Sequence, residues 1–381
     1  MIELLAPAGD FDRLVVASKY GADAVYVGGT NFSLRARASN FTNIDLKKAS
    51  EYLHSKNKKL YVTINIVFHE RDLQGIEEYL KFLESIKVDG VIITNLFLIE
   101  LIKKYAPSLE IHLSTQQSIL NHESFMFIKS LGVDRIVLAR ELSYHELLGL
   151  DRSVISDIEV FVHGGMCSSV SGRCLLSNYL SQRDANRGGC AHSCRWEYFI
   201  GGHRKPLYLG SKDLNLITKI NLLRKCKNNL SLKIEGRMKS EYYLAQVIRL
   251  YRYVIDNKVS FRYAKNRLKK LENRKTAIGF FSGKVSLREM AYTSFDVANK
   301  KFVGKIIGFD SQNLIVEVRN YFKKNDKLEI ITPDITKPVC FKFKYGFDEL
   351  NSKVTICNKP KTIIKIPFTK RITEGYISLK R

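Results

Sequence analysis

Short apolar runs recur along the first two thirds of the chain, each closed by a polar residue or a glycine. They occupy 2–7, 24–29, 59–65, 90–95, 110–116, 135–140, 159–164 and 232–237, and each is rich in Val, Ile, Leu or Tyr. The stretches between them, such as 11–21, 73–87 and 97–105, carry apolar residues three and four apart. That spacing lays an apolar stripe along one side of a helix. Eight β–α units in about 240 residues is the count of a (β/α)8 TIM-like barrel in the α/β class. A doubly wound open sheet is the alternative, but it seldom runs to eight regular units without a Gly-x-Gly-x-x-Gly fingerprint, and the chain has none.

The seventh interval departs from the rhythm. The stretch from Gly164 to Leu232 is about twice as long as the others and opens three residues before Cys167. Chemistry in such barrels sits at the C-terminal ends of the strands, so this insertion (164–231) is placed over the catalytic face. Asn65, Asn95, Ser114, Gln116, Arg140, Glu141, His163, Glu235 and Arg237 end strands on the same face. Polar strand ends are ordinary in barrels, so the group says more than any member. A helical pattern over 241–257 closes the barrel and a basic segment, 262–275, leads out of it. From Phe302 the pattern turns to short alternating strands with turns, which predicts a small antiparallel β-barrel or sandwich. The expected division is a barrel domain over 1–278 and a β domain over 300–381.

Composition adds a globular core, with 45% hydrophobic residues, and a formal net charge of +24. A surplus of this size is an electrostatic footprint for nucleic acid. Its bland counterpart is a lysine-rich compositional bias, since the lysines are dispersed and form no tract. No segment approaches a membrane span and the first residues do not read as a secretory leader. A cytoplasmic, reducing location is expected, where clustered cysteines more often bind metal or do redox chemistry than pair as disulfides.

Four of the seven cysteines, Cys167, Cys174, Cys190 and Cys194, lie within 28 residues at the spacing Cys-x6-Cys-x15-Cys-x3-Cys. Four soft thiolates suit zinc or an iron–sulfur cluster. A zinc ribbon shows two short pairs, and only Cys190/Cys194 is one. A Cys-x3-Cys-x2-Cys radical motif fails because Glu197 stands at its third position. An irregular spacing with one thiol at a strand end suits a [4Fe–4S] site made by a loop folding back; chance clustering of inert thiols is the bland reading. Hydrolase signals are weak. His69–Leu73 begins like a zinc-protease helix but lacks the second histidine, and no Gly-x-Ser-x-Gly elbow occurs. His163 and Cys167 form a conceivable dyad with no third member to orient it.

The run from Glu159 to Ser177, Glu-Val-Phe-Val-His-Gly-Gly-Met-Cys followed by Gly172-Arg173-Cys174, resembles the signature of the collagenase-like peptidase family U thirty-two. Stretches 4–10, 21–29, 33–41, 183–198, 211–214 and 232–240 resemble it too, and 302–310 and 316–333 resemble its C-terminal β domain. The likeness runs along nearly the whole chain and leans toward members acting in prephenate-dependent 5-hydroxylation of the tRNA wobble uridine. Relatives hydroxylate ribosomal RNA cytidine or ubiquinone, and the family name records a peptidase activity. The resemblance implies a [4Fe–4S] cluster on Cys167, Cys174, Cys190 and a fourth cysteine, Cys194 or Cys226, with the Cys-Arg-Trp ending of the Cys-x3-Cys pair favouring Cys194. It also implies a tRNA anticodon loop held through salt-sensitive phosphate contacts, its base splayed toward the barrel mouth, with a family paralogue or second copy as a further partner. Prephenate, a dicarboxylate, suits cationic Arg35, Arg37, Arg140 and Arg237. By position only, His163 and Glu235 are the candidates for proton transfer, with a structural role open for either.

Overall fold

The computed structural model describes residues 2–34, 40–150, 157–199, 201, 207–226, 229–271, 274–291, 301–334 and 336–380. Seven strands follow the expected runs in order: β1 (Ile2–Pro7), β2 (Ala24–Gly28), β3 (Lys59–Ile64), β4 (Gly90–Ile93), β5 (Glu110–Leu113), β6 (Arg135–Val137) and β7 (Asp157–Gly164). A short β8 (Asp213–Asn215) lies inside the insertion, and β9 (Asn229–Ile234) is the eighth barrel strand. Strands β1 to β7 pair in parallel with their neighbours, and β9 pairs in parallel with both β1 and β7, which closes the barrel. Strand β8 runs antiparallel beside the end of β7, His163 opposite Asn215.

The helices α1 (Phe11–Lys19), α2 (Asn43–His54), α3 (Ile76–Ser85), α4 (Leu98–Tyr105), α5 (His122–Ser130) and α6 (Tyr144–Leu150) alternate with the strands. Helices α7 (Leu176–Ser181) and α8 (Ile220–Leu223) belong to the insertion, and α9 (Glu241–Ile255) and α10 (Phe261–Leu271) follow β9. Local chemistry sets where several begin. Asp10, Thr42, Asn121 and Ser240 cap α1, α2, α5 and α9, each side chain accepting a hydrogen bond from a first-turn backbone N–H. Such a cap contributes roughly 1 kcal/mol by satisfying a donor that has no partner within the helix. No helix among the described residues is long and apolar enough to cross a membrane.

The outer faces of the strands and the inner faces of the helices share one apolar core. The barrel interior is different. Among the described residues Leu5, Ala24, Tyr26, Tyr61 and Ile92 form a small apolar layer there, and a network of buried charges lies beside it. Lys233 Nζ lies 2.5 Å from Glu159 Oε1, and both side chains are 5% exposed or less. Arg135 donates to Glu3 Oε1 at 2.6 Å and lies 3.6 Å from Glu159. Tyr61 and Ser231 donate to the same Glu3 carboxylate. Burial by itself would raise the Glu159 pKa, but Lys233, Arg135 and His112 outweigh it and hold the carboxyl below its usual range.

The segment expected to lead away from the barrel stays on it. Its first part is α10, which packs against α9. Thr276–Ala277 then pairs with β8, Phe281 joins the barrel core, and Ala291 bridges to Ser211. The C-terminal unit is antiparallel, as expected: an eight-stranded sheet and a two-stranded ribbon around their own apolar core. Among the described residues no pair closes the sheet's ends into a barrel. One end strand, Lys353–Val354, is only two residues long, and a short charged edge offers little to pair with. The two units meet through stacked Tyr242 and Phe302, and through Arg267, which forks onto Glu329.

Candidate functional site at the barrel mouth

The polar strand ends are used, most of them to tie loops. Asn65 Oδ1 accepts from Leu34 N at 3.0 Å, and Asn95 donates to Ile66 O at 2.8 Å. Thr94 and Ser114 both donate to Gln116 Oε1. The Gln116 side-chain amide nitrogen is buried and has no partner among the described residues, which leaves a donor at the mouth. Arg237, 5% exposed, donates to Ser33 Oγ at 3.0 Å and Asn40 Oδ1 at 2.6 Å, holding both ends of the loop after β2. Arg35 and Arg37 lie in that loop, outside the described residues.

The insertion lies across the mouth and is pinned at several points. Arg187 forms an ion pair with Asp72 and donates to Val67 O, both in the loop after β3. That pair holds the Asp72 carboxyl at a pKa of about 2. Arg173 reaches Gln117 after β5, and Ser171 N and Oγ both donate to Glu141 after β6. Loops after three different strands therefore carry the Cys-rich segment.

Close to Cys167 the backbone is clamped. Arg140 donates to Gly165 O while Glu235 Oε2 accepts from Gly165 N at 3.0 Å. The two peptide groups that flank Gly165, two residues before the cysteine, are thus gripped by a residue that follows β6 and a residue that follows β9. Gly164, at φ +112°, permits the approach: a Cβ there would stand 2.5 Å from Glu235 O. The Arg140 guanidinium also sits 3.8 Å from the centre of the Phe161 ring. Burial lowers its pKa, and the Glu235 carboxylate opposes that shift most among its neighbours. Arg140 Nε is buried and has no partner among the described residues.

Cys167 and Cys190 are exposed, Cys174 and Cys194 half-buried. Burial raises the Cys194 pKa first, and Cys167 and Cys190 raise it further, against Ser168 and Arg195. These three thiols are within electrostatic reach of one another. The Cys174 sulfur accepts from Leu176 N at 3.3 Å. Cys226 is elsewhere: it follows α8, three residues before β9 begins at the opposite end of the barrel, and packs on the apolar core. Among the described residues no three His, Cys, Asp or Glu side chains converge tightly enough for a single metal ion. A four-iron cluster is wider than one ion and takes four thiolates around its edges, with N–H donors to sulfur tuning it. The soft donor set and the Leu176 N–H fit that group.

His163 goes to a different neighbourhood from the one its position suggested. A β-bulge between Phe161 and His163 shifts the register against β9 and sets His163 beside Ile234. Its ring lies 5.5 Å from Tyr251 and 6.0 Å from Tyr243, both on α9, with Tyr251 Oη 3.4 Å from Nδ1. Burial, reinforced by Lys239, lowers its pKa to about 3, so the ring is neutral at ordinary pH. These contacts fit the structural role left open for it. Glu235 is the one of the two that faces the clamp.

The sequence reading overlooked the Gly165 clamp and the Lys233–Glu159 pair beneath it. The pair did leave a signal, since Glu159 and Lys233 are charges inside otherwise apolar runs. The clamp left none, because it joins residues 25 and 70 positions apart.

The comparisons with known proteins agree with this architecture. Residues 9–291 match the model of "Peptidase family U32" and residues 298–378 that of its C-terminal domain. The chain is 38% identical to "tRNA hydroxylation protein P1" of Bacillus subtilis, over 97% of this chain and 92% of that protein. It is 36% identical to "tRNA hydroxylation protein P" of Helicobacter pylori, over 87% and 84%. It is also 30% identical to a "Collagenase" of Porphyromonas gingivalis, over 83% and 82%. With both family models matched along nearly its whole length, the chain belongs to peptidase family U32.

Proposed function

We infer that this chain is an RNA-modifying enzyme of the tRNA hydroxylation type, acting at the wobble uridine with prephenate as co-substrate. The observation that carries the reading is the near end-to-end likeness to the Bacillus subtilis protein of that name. The net charge of +24 supports a polyanionic partner.

In this reading Cys167, Cys174, Cys190 and Cys194 hold a [4Fe–4S] cluster, which supplies one-electron chemistry at the mouth. The chain's own residues position and charge the site. The Gly165 clamp orients Cys167 relative to β6 and β9. Arg140, with its unpartnered Nε, offers a cation and a donor to a carboxylate of the co-substrate. Arg237 holds Ser33 and Asn40, which flank the segment that contains Arg35 and Arg37. Glu235, with one carboxylate oxygen on Gly165 N, is the proton carrier nearest the clamp. The anticodon loop would meet this face, and a family paralogue or second copy would be a further partner.

The peptidase reading rests on the Porphyromonas gingivalis relative. Cys167 and His163 do not form the nucleophile–base pair it would need: Cys167 Sγ has Ser169 Oγ at 2.9 Å, while the His163 ring is buried against α9.

The test is complementation of a deletion strain, with digestion of its tRNA to nucleosides and iron and sulfide analysis of anaerobically purified protein. The wild-type gene should restore the hydroxylated uridine, and Cys167→Ala should lose both iron and modification while still binding tRNA. Full restoration by Cys167→Ala would remove the cluster from the mechanism. Gelatin cleavage by a chain whose deletion leaves tRNA unchanged would favour the peptidase.

A further inference from the structure

The insertion carries a surface that its neighbours in the barrel do not. Tyr179 on α7 is 80% exposed and Phe199 66%, and Trp196, the chain's only tryptophan, is 42% exposed. Leu175 adds an exposed apolar side chain just before α7. These positions are drawn together because α7 packs on the turn Ser193–Arg195, directly before Trp196. Tyr198 pairs through its backbone with Leu207 and donates its hydroxyl to Ser193 O at 2.7 Å, which holds the strand carrying Phe199 against the same turn. Large aromatic side chains left in water on a tied-down scaffold lose apolar stabilisation unless something covers them.

Charge favours a polyanionic partner. From 164 to 199, the part that carries the rings, the chain has four Arg against Asp184 and Glu197. Arg195 precedes Trp196, Arg173 is exposed, and Arg183 donates to Cys190 O at 3.4 Å. Aromatic faces interleaved with arginine are a surface that stacks unpaired bases while the cations follow the backbone. Cys190 and Cys194 lie in the same segment, between α7 and Trp196.

We propose that Tyr179, Trp196 and Phe199 form a stacking platform for unpaired RNA bases, on the lip of the barrel mouth. This rests on the RNA-directed reading above and deepens it: single-stranded loops, not duplex, are the substrate class. Bases stacked there stand beside the cysteines, and phosphate contacts come from the surrounding arginines.

The single tryptophan makes the test direct. Full-length protein is titrated with an RNA hairpin bearing a single-stranded loop, and separately with a fully paired RNA duplex of equal charge. Trp196 fluorescence reports stacking and anisotropy reports affinity. The hairpin is expected to quench Trp196 and the duplex to leave it bright. Tyr179→Ala and Phe199→Ala should each weaken hairpin binding by roughly tenfold, within the range that one lost stack costs, and leave duplex binding unchanged. Tyr321→Ala, an exposed aromatic of the C-terminal unit, is the control. Equal hairpin and duplex affinities with unquenched Trp196 would overturn the platform. So would self-association that Tyr179→Ala abolishes, since the patch would then be a protein interface. Hydroxylation that persists with unquenched Trp196 rejects the platform alone. Quenching by a chain whose deletion leaves tRNA hydroxylation intact rejects the hydroxylase reading alone.

Discussion

The barrel interior and the Cys-rich insertion each invert the usual placement of side chains, in opposite directions. Inside the barrel, Glu159, Lys233 and Arg135 are charges withdrawn from water. On the insertion, Tyr179 and Phe199 are aromatics left in it. In the first, the buried carboxylate has a lysine at 2.5 Å and an arginine at 3.6 Å. In the second, Cys167, Cys190 and the rings stand exposed. A buried ion pair costs desolvation and repays it only through its partners, so it belongs to a rigid support. An exposed ring gains nothing until a partner arrives, so it belongs to a binding surface. The support and the surface meet at Gly165, gripped from β6 and β9 and two residues from Cys167.

Substitutions in the two regions should differ accordingly. The largest effect on stability is expected from Lys233→Met, which strands the Glu159 carboxylate. Breaking such a buried pair costs about 3–5 kcal/mol, measurable by urea unfolding. Replacing both partners with Met and Leu should recover much of the loss. A single-variant loss below about 1 kcal/mol would mean that water reaches the pair, and the contrast with the insertion would weaken.

An intermediate effect is expected from acid. The folded His163 pKa of about 3 lies below its unfolded value of about 6.5. The unfolded chain therefore takes up a proton that the folded chain refuses. This contribution is fully present above pH 6.5 and is lost as pH falls toward 3. The slope is about 1.4 kcal/mol per pH unit, or about 2 kcal/mol between pH 6.5 and 5, above the range of most carboxylates. His163→Gln should flatten that slope; an unchanged slope would assign the acid sensitivity to other groups.

The smallest effect is expected on the insertion. Tyr179→Ser should change unfolding free energy by no more than about 0.5 kcal/mol, as for other exposed sites. A loss of several kcal/mol would show the ring to be part of the folded core, and the contrast drawn here would fail.

The strand order and the site's location were readable in the chain. All eight apolar runs overlap barrel strands, because continuous apolar runs and the short helical intervals between them are local properties of the sequence. The long seventh interval marked the mouth, and the cysteine spacing marked a soft-donor site. The fate of single polar residues was not readable. Arg140 and Glu235 looked like equivalent strand ends, yet one takes the carbonyl and the other the N–H of the same residue, Gly165. His163 looked like another mouth residue, but one bulge in β7 sends its ring to Tyr243 and Tyr251. The segment 262–275 looked like a linker, but α10 stays packed on α9 and reaches Glu329.

The sequence by itself determined the periodic elements, their order and the soft-donor chemistry of the insertion, since each depends on residues close together in the chain. Tertiary structure alone decided which charges became a buried support and which strand-end groups grip the cysteine loop. Those outcomes depend on contacts between residues tens to hundreds of positions apart, and on a one-residue change of register that local patterning does not encode.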